Sequence, residues 1–103
     1  MEYKFSNRHL NDLYHTGKSR KYKPPPGALK KFFMRVQQFE AAIDIYDLWK
    51  TPSLKFEKLE GYENKYSVRV DDQWRLEFYI KWQNTEKTKG LINIAELSKH
   101  YGA

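Results

Sequence analysis

The chain has no cysteine. Disulfides, thiolate metal sites and cysteine nucleophiles are therefore excluded, and the absence fits a reducing compartment. It also lacks any run approaching the roughly 18 uninterrupted apolar residues that would suggest a membrane-spanning helix. The opening MEYKFSNRHLND carries charges throughout and does not read as a secretory signal. Histidines are few: His9 and His15 lie six apart, and His100 is distant, which is not ligand spacing. No glycine-rich phosphate loop, no GxSxG elbow and no DxDxDG loop is present. The expectation is a soluble cytoplasmic protein that works without a metal or cofactor and does not engage a membrane.

What the chain does have is positive charge and aromatic rings. Its 103 residues suit a single domain, 1–103, around one core. The net charge is +6, and eight Tyr, six Phe and three Trp are more than a small core needs. A small basic domain of this kind is a candidate for binding nucleic acid, an acidic protein or a membrane surface.

Periodicity gives the elements. Residues 2–5 suit a short strand with Tyr3 and Phe5 on one side. Ser6 or Asn7 can cap a short helix carrying Leu10, Leu13 and Tyr14, which Gly17 ends. A basic loop leads to Pro24, Pro25 and Pro26, which hold the chain extended until they are passed. The spacing of Leu29, Phe32, Phe33, Val36, Phe39, Ile43 and Tyr46 predicts one long helix from about Ala28 to Trp49, with Arg35 off the apolar stripe. Its acids, Glu40, Asp44 and Asp47, lie late, against the preference of a helix dipole. A last strand is expected over Leu91 to Leu97. Its parity is ambiguous, because Ile92 and Ile94 suggest one face and Leu91 and Leu97 the other. The order, a strand, two helices and three strands, predicts an α+β fold: an antiparallel sheet with the two N-terminal helices packed on one face.

The most informative stretch lies between these, at residues 54–82. Tyr66, Val68 and Val70 alternate with Ser67 and Arg69; Trp74, Leu76, Phe78, Ile80 and Trp82 alternate with Arg75, Glu77, Tyr79 and Lys81. This is a hairpin with one dry and one wet face. A loop at Asp71-Asp72-Gln73 sets Val70 opposite Trp74 and Arg69 opposite Arg75. Like charges facing each other are destabilising, so the pair suggests an anion lying across them, and the arginine fork suits phosphate. Lys55, Lys58, Lys81 and Lys99, with Tyr79, extend this into a basic-aromatic constellation that would suit RNA, cations on phosphates and rings on unpaired bases. Taken singly, surface lysines usually do no more than solvate.

In its order of segments, LKFEKLEG, YSVRV, QWRLEF and a final strand ending SKHYGA, the chain resembles the RelE/ParE superfamily of bacterial toxins, most of all the HigB-type killer proteins of type II toxin–antitoxin systems. The resemblance implies a RelE-like fold and ribosome-dependent, metal-independent cleavage of messenger RNA. It implies a helix-turn-helix antitoxin of the HigA kind as partner, with the ribosome and mRNA, and contact with DNA only through that antitoxin. It places the phosphate-binding arginine at Arg75, a second basic group at Arg69, and the C-terminal catalytic region at His100 and Tyr101. Two departures stand out. Glu57 occupies the place where several HigB-like toxins carry a histidine before the Leu-x-Gly turn, and Ser98-Lys99-His100-Tyr101 replaces the frequent Asp-Tyr-His ending. Glu57 or His100 would then be the base, and His100, Lys99 or Tyr101 the acid. Two other functions share part of this pattern: a ParE-like toxin that poisons gyrase by binding, and a basic RNA-binding module without activity.

Overall fold

The computed structural model describes residues 1–99; His100 and Tyr101 lie outside the described residues. The elements are β1 (Tyr3–Phe5), α1 (Arg8–Thr16), α2 (Pro26–Ala41), α3 (Ile45–Trp49), a 3-10 turn (Pro52–Leu54), β2 (Glu57–Lys58), β3 (Lys65–Arg69), β4 (Trp74–Trp82) and β5 (Gly90–Lys99). They build one five-stranded sheet in the order β1-β5-β4-β3-β2. The architecture is α+β, but the sheet is mixed rather than antiparallel. β1 runs parallel to β5, with Tyr3 opposite Ile92 and Phe5 opposite Ile94, and the other pairs are antiparallel. No helix among the described residues is long and apolar enough to cross a membrane.

The caps of α1 follow from its sequence. The Asn7 side chain accepts from Leu10 N at 2.9 Å, and Gly17, at φ 77°, donates to Leu13 O at 2.9 Å. Glycine occupies this left-handed position without a Cβ penalty. Pro26 opens α2, where its missing N–H has no partner to lose.

The long helix expected to reach Trp49 is in fact two. Ala42 leaves helical geometry with ψ 132°, and Asp44 is extended and caps α3. Asp44 Oδ1 accepts from Tyr46 N at 3.0 Å, and Asp47 Oδ2 accepts from Asp44 N at 3.5 Å, closing a capping box, and also from Ile43 N at 2.7 Å. Asp44 and Asp47 are thus at a helix start, where carboxylates are favoured, while Glu40 stays in the last turn of α2. The break turns two members of the expected stripe outward: Ile43 is 72 % exposed and Tyr46 is exposed as well. Arg35, expected off the stripe, is buried.

The core is one cluster joining helices and sheet. Phe39 of α2 meets Phe78 of β4 at 4.8 Å between ring centroids, Phe56 stacks on Tyr66 at 5.3 Å, and Leu10, Leu13 and Phe32 join the same cluster. The ambiguous parity of β5 is resolved by a bulge. Phe78 pairs with Ile94 but Glu77 pairs with Glu96, so Ala95 is an extra residue. Ile92 and Ile94 are buried before it and Leu97 is buried after it, all on the same side.

Two tests follow. At Gly90 an added Cβ would lie 2.6 Å from Lys81 O and 2.7 Å from Ile80 Cγ2. Gly90→Ala should therefore cost about 1–3 kcal/mol by overpacking, read as a lower midpoint in a thermal or denaturant melt. Asp47 is the second. The Lys50 hydrogen bond first, and then the Ile43 amide, hold its carboxyl below its ordinary 3.8. A depressed carboxyl contributes stability above its unfolded pKa, and the contribution is lost as pH falls through the folded value. Asp47→Asn should therefore be less stable than the parent near neutrality, and the gap should close in acid below that value.

Candidate active site

The site lies on the face of the sheet opposite the core, where the hairpin of β3 and β4 carries its polar residues in rows. Arg69 is opposite Arg75, which is opposite Ser98. The next row is Glu57, Ser67, Glu77 and Glu96, one from each of β2 to β5. A third is Lys65, Tyr79, Asn93 and Lys4. Period-two alternation puts all three on one face.

The loop at Asp71-Asp72-Gln73 is as the sequence suggested, and so is the facing pair. Asp71 Oδ1 accepts from Gln73 N and Trp74 N at 2.8 and 2.9 Å, and Val70 N donates to Trp74 O at 2.8 Å. The inference that the arginines need an outside anion must be corrected, because the chain supplies its own. Arg69 pairs with Asp72 and also donates from Nε to Asp71 O at 3.2 Å; Arg75 Nη1 donates to Glu57 Oε1 at 2.7 Å. Each guanidinium faces a carboxylate, so their mutual repulsion is offset before any ligand arrives.

Of the other expected residues, Tyr79 and Lys81 share this face further along β4, and both are exposed. Lys58 does not share it: it pairs with Tyr66, in the row that points to the core, and so lies on the opposite side of β2 from Glu57. Lys99 pairs with Trp74, again of opposite parity to Arg75. Lys55 sits before the sheet, closing the 3-10 turn with φ 44°. The structure therefore gathers Glu57, Arg69 and Arg75, sets Tyr79 and Lys81 beyond them, puts Lys58 and Lys99 on the other face, and leaves Lys55 outside the strands.

Sequence reasoning missed four neighbours. Ser67, 1 % exposed, lies between the two glutamates Glu57 and Glu77. Lys65 Nζ pairs with Glu77 at 3.2 Å. Burial lowers its pKa, but the Glu77 hydrogen bond and nearby charges outweigh this, and the ammonium titrates above its ordinary range. The alternation already sets Ser67 and Glu77 on the face of Arg69 and Arg75 without their being read as part of the site, and it extends to Lys65. The fourth, Arg35, lies beneath the hairpin end. Its Nε donates to Arg69 O at 2.7 Å, Nη2 to Val70 O at 3.4 Å, and Nη1 to Gln38 Oε1 at 2.9 Å. Burial pushes its pKa down, and neutral acceptors hold the charge. Its spacing from Phe32, Val36 and Phe39 was the available signal.

This α+β toxin fold has counterparts. Residues 3–93 match the model of the RelE-like toxins of type II toxin–antitoxin systems of the HigB kind. The chain belongs to that family, and membership implies an antitoxin partner. In structure it is similar to a YoeB/ParE toxin from Agrobacterium tumefaciens, with TM-score 0.58 and 13 % identity over 98 % of this chain and 100 % of that one, a likeness of fold. Comparison with curated proteins found no match.

Replacing Arg35 by Met keeps most of the packing volume but strands the carbonyls of Arg69 and Val70. The expected loss is about 1–3 kcal/mol, with faster amide exchange concentrated at residues 69–74 in hydrogen-exchange measurements.

Proposed function

We propose that this toxin is a ribosome-dependent endoribonuclease that cuts messenger RNA without a metal, and that an antitoxin of the HigA kind neutralises it. The observation that carries the reading is the Glu57–Arg75 pair at 2.7 Å beside Arg69 on the open face. A carboxylate and two guanidinium forks within one patch are what a transesterification of RNA requires. Arg75 exchanges Glu57 for the scissile phosphate, which leaves that carboxylate beside the ribose. Glu57 takes the 2′-hydroxyl proton, the 2′ oxygen attacks phosphorus, and the bond from phosphorus to the 5′ oxygen breaks. The leaving oxygen is protonated by His100 or Tyr101, the groups the family resemblance assigns there. The products are a 2′,3′-cyclic phosphate and a 5′-hydroxyl end. Arg69 and Arg75 stabilise the charge that builds on the phosphorane.

The site is shallow and most of it lies on two strands. Orientation of the substrate then falls to the ribosome, which supplies the positioning a small surface lacks. Naked RNA should be cut weakly, and production of the chain alone should arrest bacterial growth until the antitoxin is co-expressed.

The decisive variants are Arg75→Ala and Glu57→Gln. Arg75→Ala removes an exposed pair worth at most about 1 kcal/mol and leaves Leu76 and Phe78 in the core, so its melt should stay close to the parent's. Its single-turnover cleavage on ribosomes should fall about 100- to 1000-fold. Arg75→Lys should recover only part, since a point charge does not reproduce the fork. Glu57→Gln should slow cleavage, since an amide cannot take the 2′-hydroxyl proton. A folded Arg75→Ala protein that cuts at the parental rate removes this site. Arrested gyrase complexes with intact transcripts would replace the nuclease by a gyrase poison.

A further inference from the structure

Away from the arginines, the open face carries a second arrangement. Lys65 Nζ lies 4.2 Å from the ring centroid of Tyr62 and 5.4 Å from that of Tyr79. Glu77 holds the same ammonium at 3.2 Å. Both rings reach solvent, Tyr62 being 51 % and Tyr79 38 % exposed. A pinned cation thus sits between two exposed aromatic rings.

The loop that presents Tyr62 is fastened to β4. Gly61 and Asn64 both have positive φ, 82° and 61°. Asn64 O accepts from Ile80 N at 3.0 Å, and its Oδ1 accepts from Trp82 Nε1 at 3.2 Å. Beside Tyr79 is an open cleft whose lining includes Lys4, Glu63, Asn64, Lys81 and Asn93. The Asn93 Oδ1 there is buried and has no hydrogen-bond partner.

We propose that Tyr62 and Tyr79, spaced by Lys65, form a stacking platform for an unpaired nucleobase of single-stranded RNA. The proposal rests on the nuclease reading for its direction and adds a subsite that sets which nucleotides are accepted. Tyr79 is four residues from Arg75 on the same face of β4, about 13 Å along the strand. An extended RNA covers that in about two nucleotides, so the base on the platform belongs to a nucleotide near, but not at, the cut. Stacking supplies sequence-tolerant affinity, Lys4 and Lys81 draw the backbone, and the Asn64 amide offers a polar group to the base edge. Lys65 is already paired with Glu77, so its part is to position the rings rather than to bind phosphate.

The test uses the purified full chain and a short 2′-O-methylated single-stranded RNA, which binds but cannot react. 2-Aminopurine is placed at successive positions. Quenching should appear at one position. Tyr62→Ala and Tyr79→Ala should each weaken binding about 5- to 100-fold and abolish that quenching, with unchanged melts. Tyr79→Phe should retain both. On ribosomes the alanine variants should still cut, but with altered preference among sites. Parental affinity in the double alanine variant overturns the platform, and so does absence of quenching at every position. A double variant that keeps RNA affinity while losing the antitoxin also overturns it, by assigning the rings to a protein partner. The outcomes separate from the nuclease reading: quenching by a parent that cuts nothing keeps the platform and removes the nuclease, whereas cleavage with unchanged affinity in the double variant does the reverse.

Discussion

Everything in this molecule hangs on the alternation of β4. Leu76, Phe78 and Ile80 are buried, and Arg75, Glu77, Tyr79 and Lys81 face away from the core. β4 is paired on both sides, so its parity passes sideways to β3 and β5 through the register. A slip of one residue would exchange the two faces completely. The contact of Phe39 with Phe78 opposes that slip from the helix side, and the hydrogen bonds of Arg35 to Arg69 O and Val70 O oppose it at the hairpin end. Core packing and site geometry are therefore one constraint seen from opposite sides of the sheet.

How far the sequence disclosed this can be judged element by element. The hairpin, its three-residue loop and the facing arginines were legible because strict alternation has one reading. The C-cap of α1 was legible at Gly17, and its N-cap was narrowed to Ser6 or Asn7, of which the structure uses Asn7. The break after Ala41 was missed because Ile43 and Tyr46 continue the helical spacing by coincidence. The misplaced acids were the true signal, and they make sense once Asp44 begins a new helix. The parallel pairing of β1 was beyond reach, since nothing in a three-residue strand declares its partner. The bulge at Ala95 left its trace as contradictory parity in β5. The buried role of Arg35 was obscured by residue type: arginine is mostly found at the surface, although its position was that of a core residue.

The site is electrically self-contained. Its cations and carboxylates are interleaved: Arg69 with Asp72, Arg75 with Glu57, Lys65 with Glu77. The net charge of +6 favours the approach of anionic ligands, but Arg69 and Arg75 on this face already have carboxylate partners. Entry of a phosphate is then an exchange of partners rather than the filling of a bare positive hole. Such an exchange favours ligands presented in the right geometry and gives little to a stray anion.

The parallel pairing of Tyr3 with Ile92 also orders events in time. During synthesis β1 is made before the helices and β2 to β4, and its partner strand β5 only after them. Until β5 has left the ribosome, neither the edge at β1 nor the long pairing of β4 with β5 exists, and the apolar side of β4 has no complete sheet around it. Contacts of such large sequence separation also form slowly. The sheet is therefore unfinished until β5 has been made, and its assembly waits on that strand. That interval gives a partner already present in the cell time to meet the toxin as it folds.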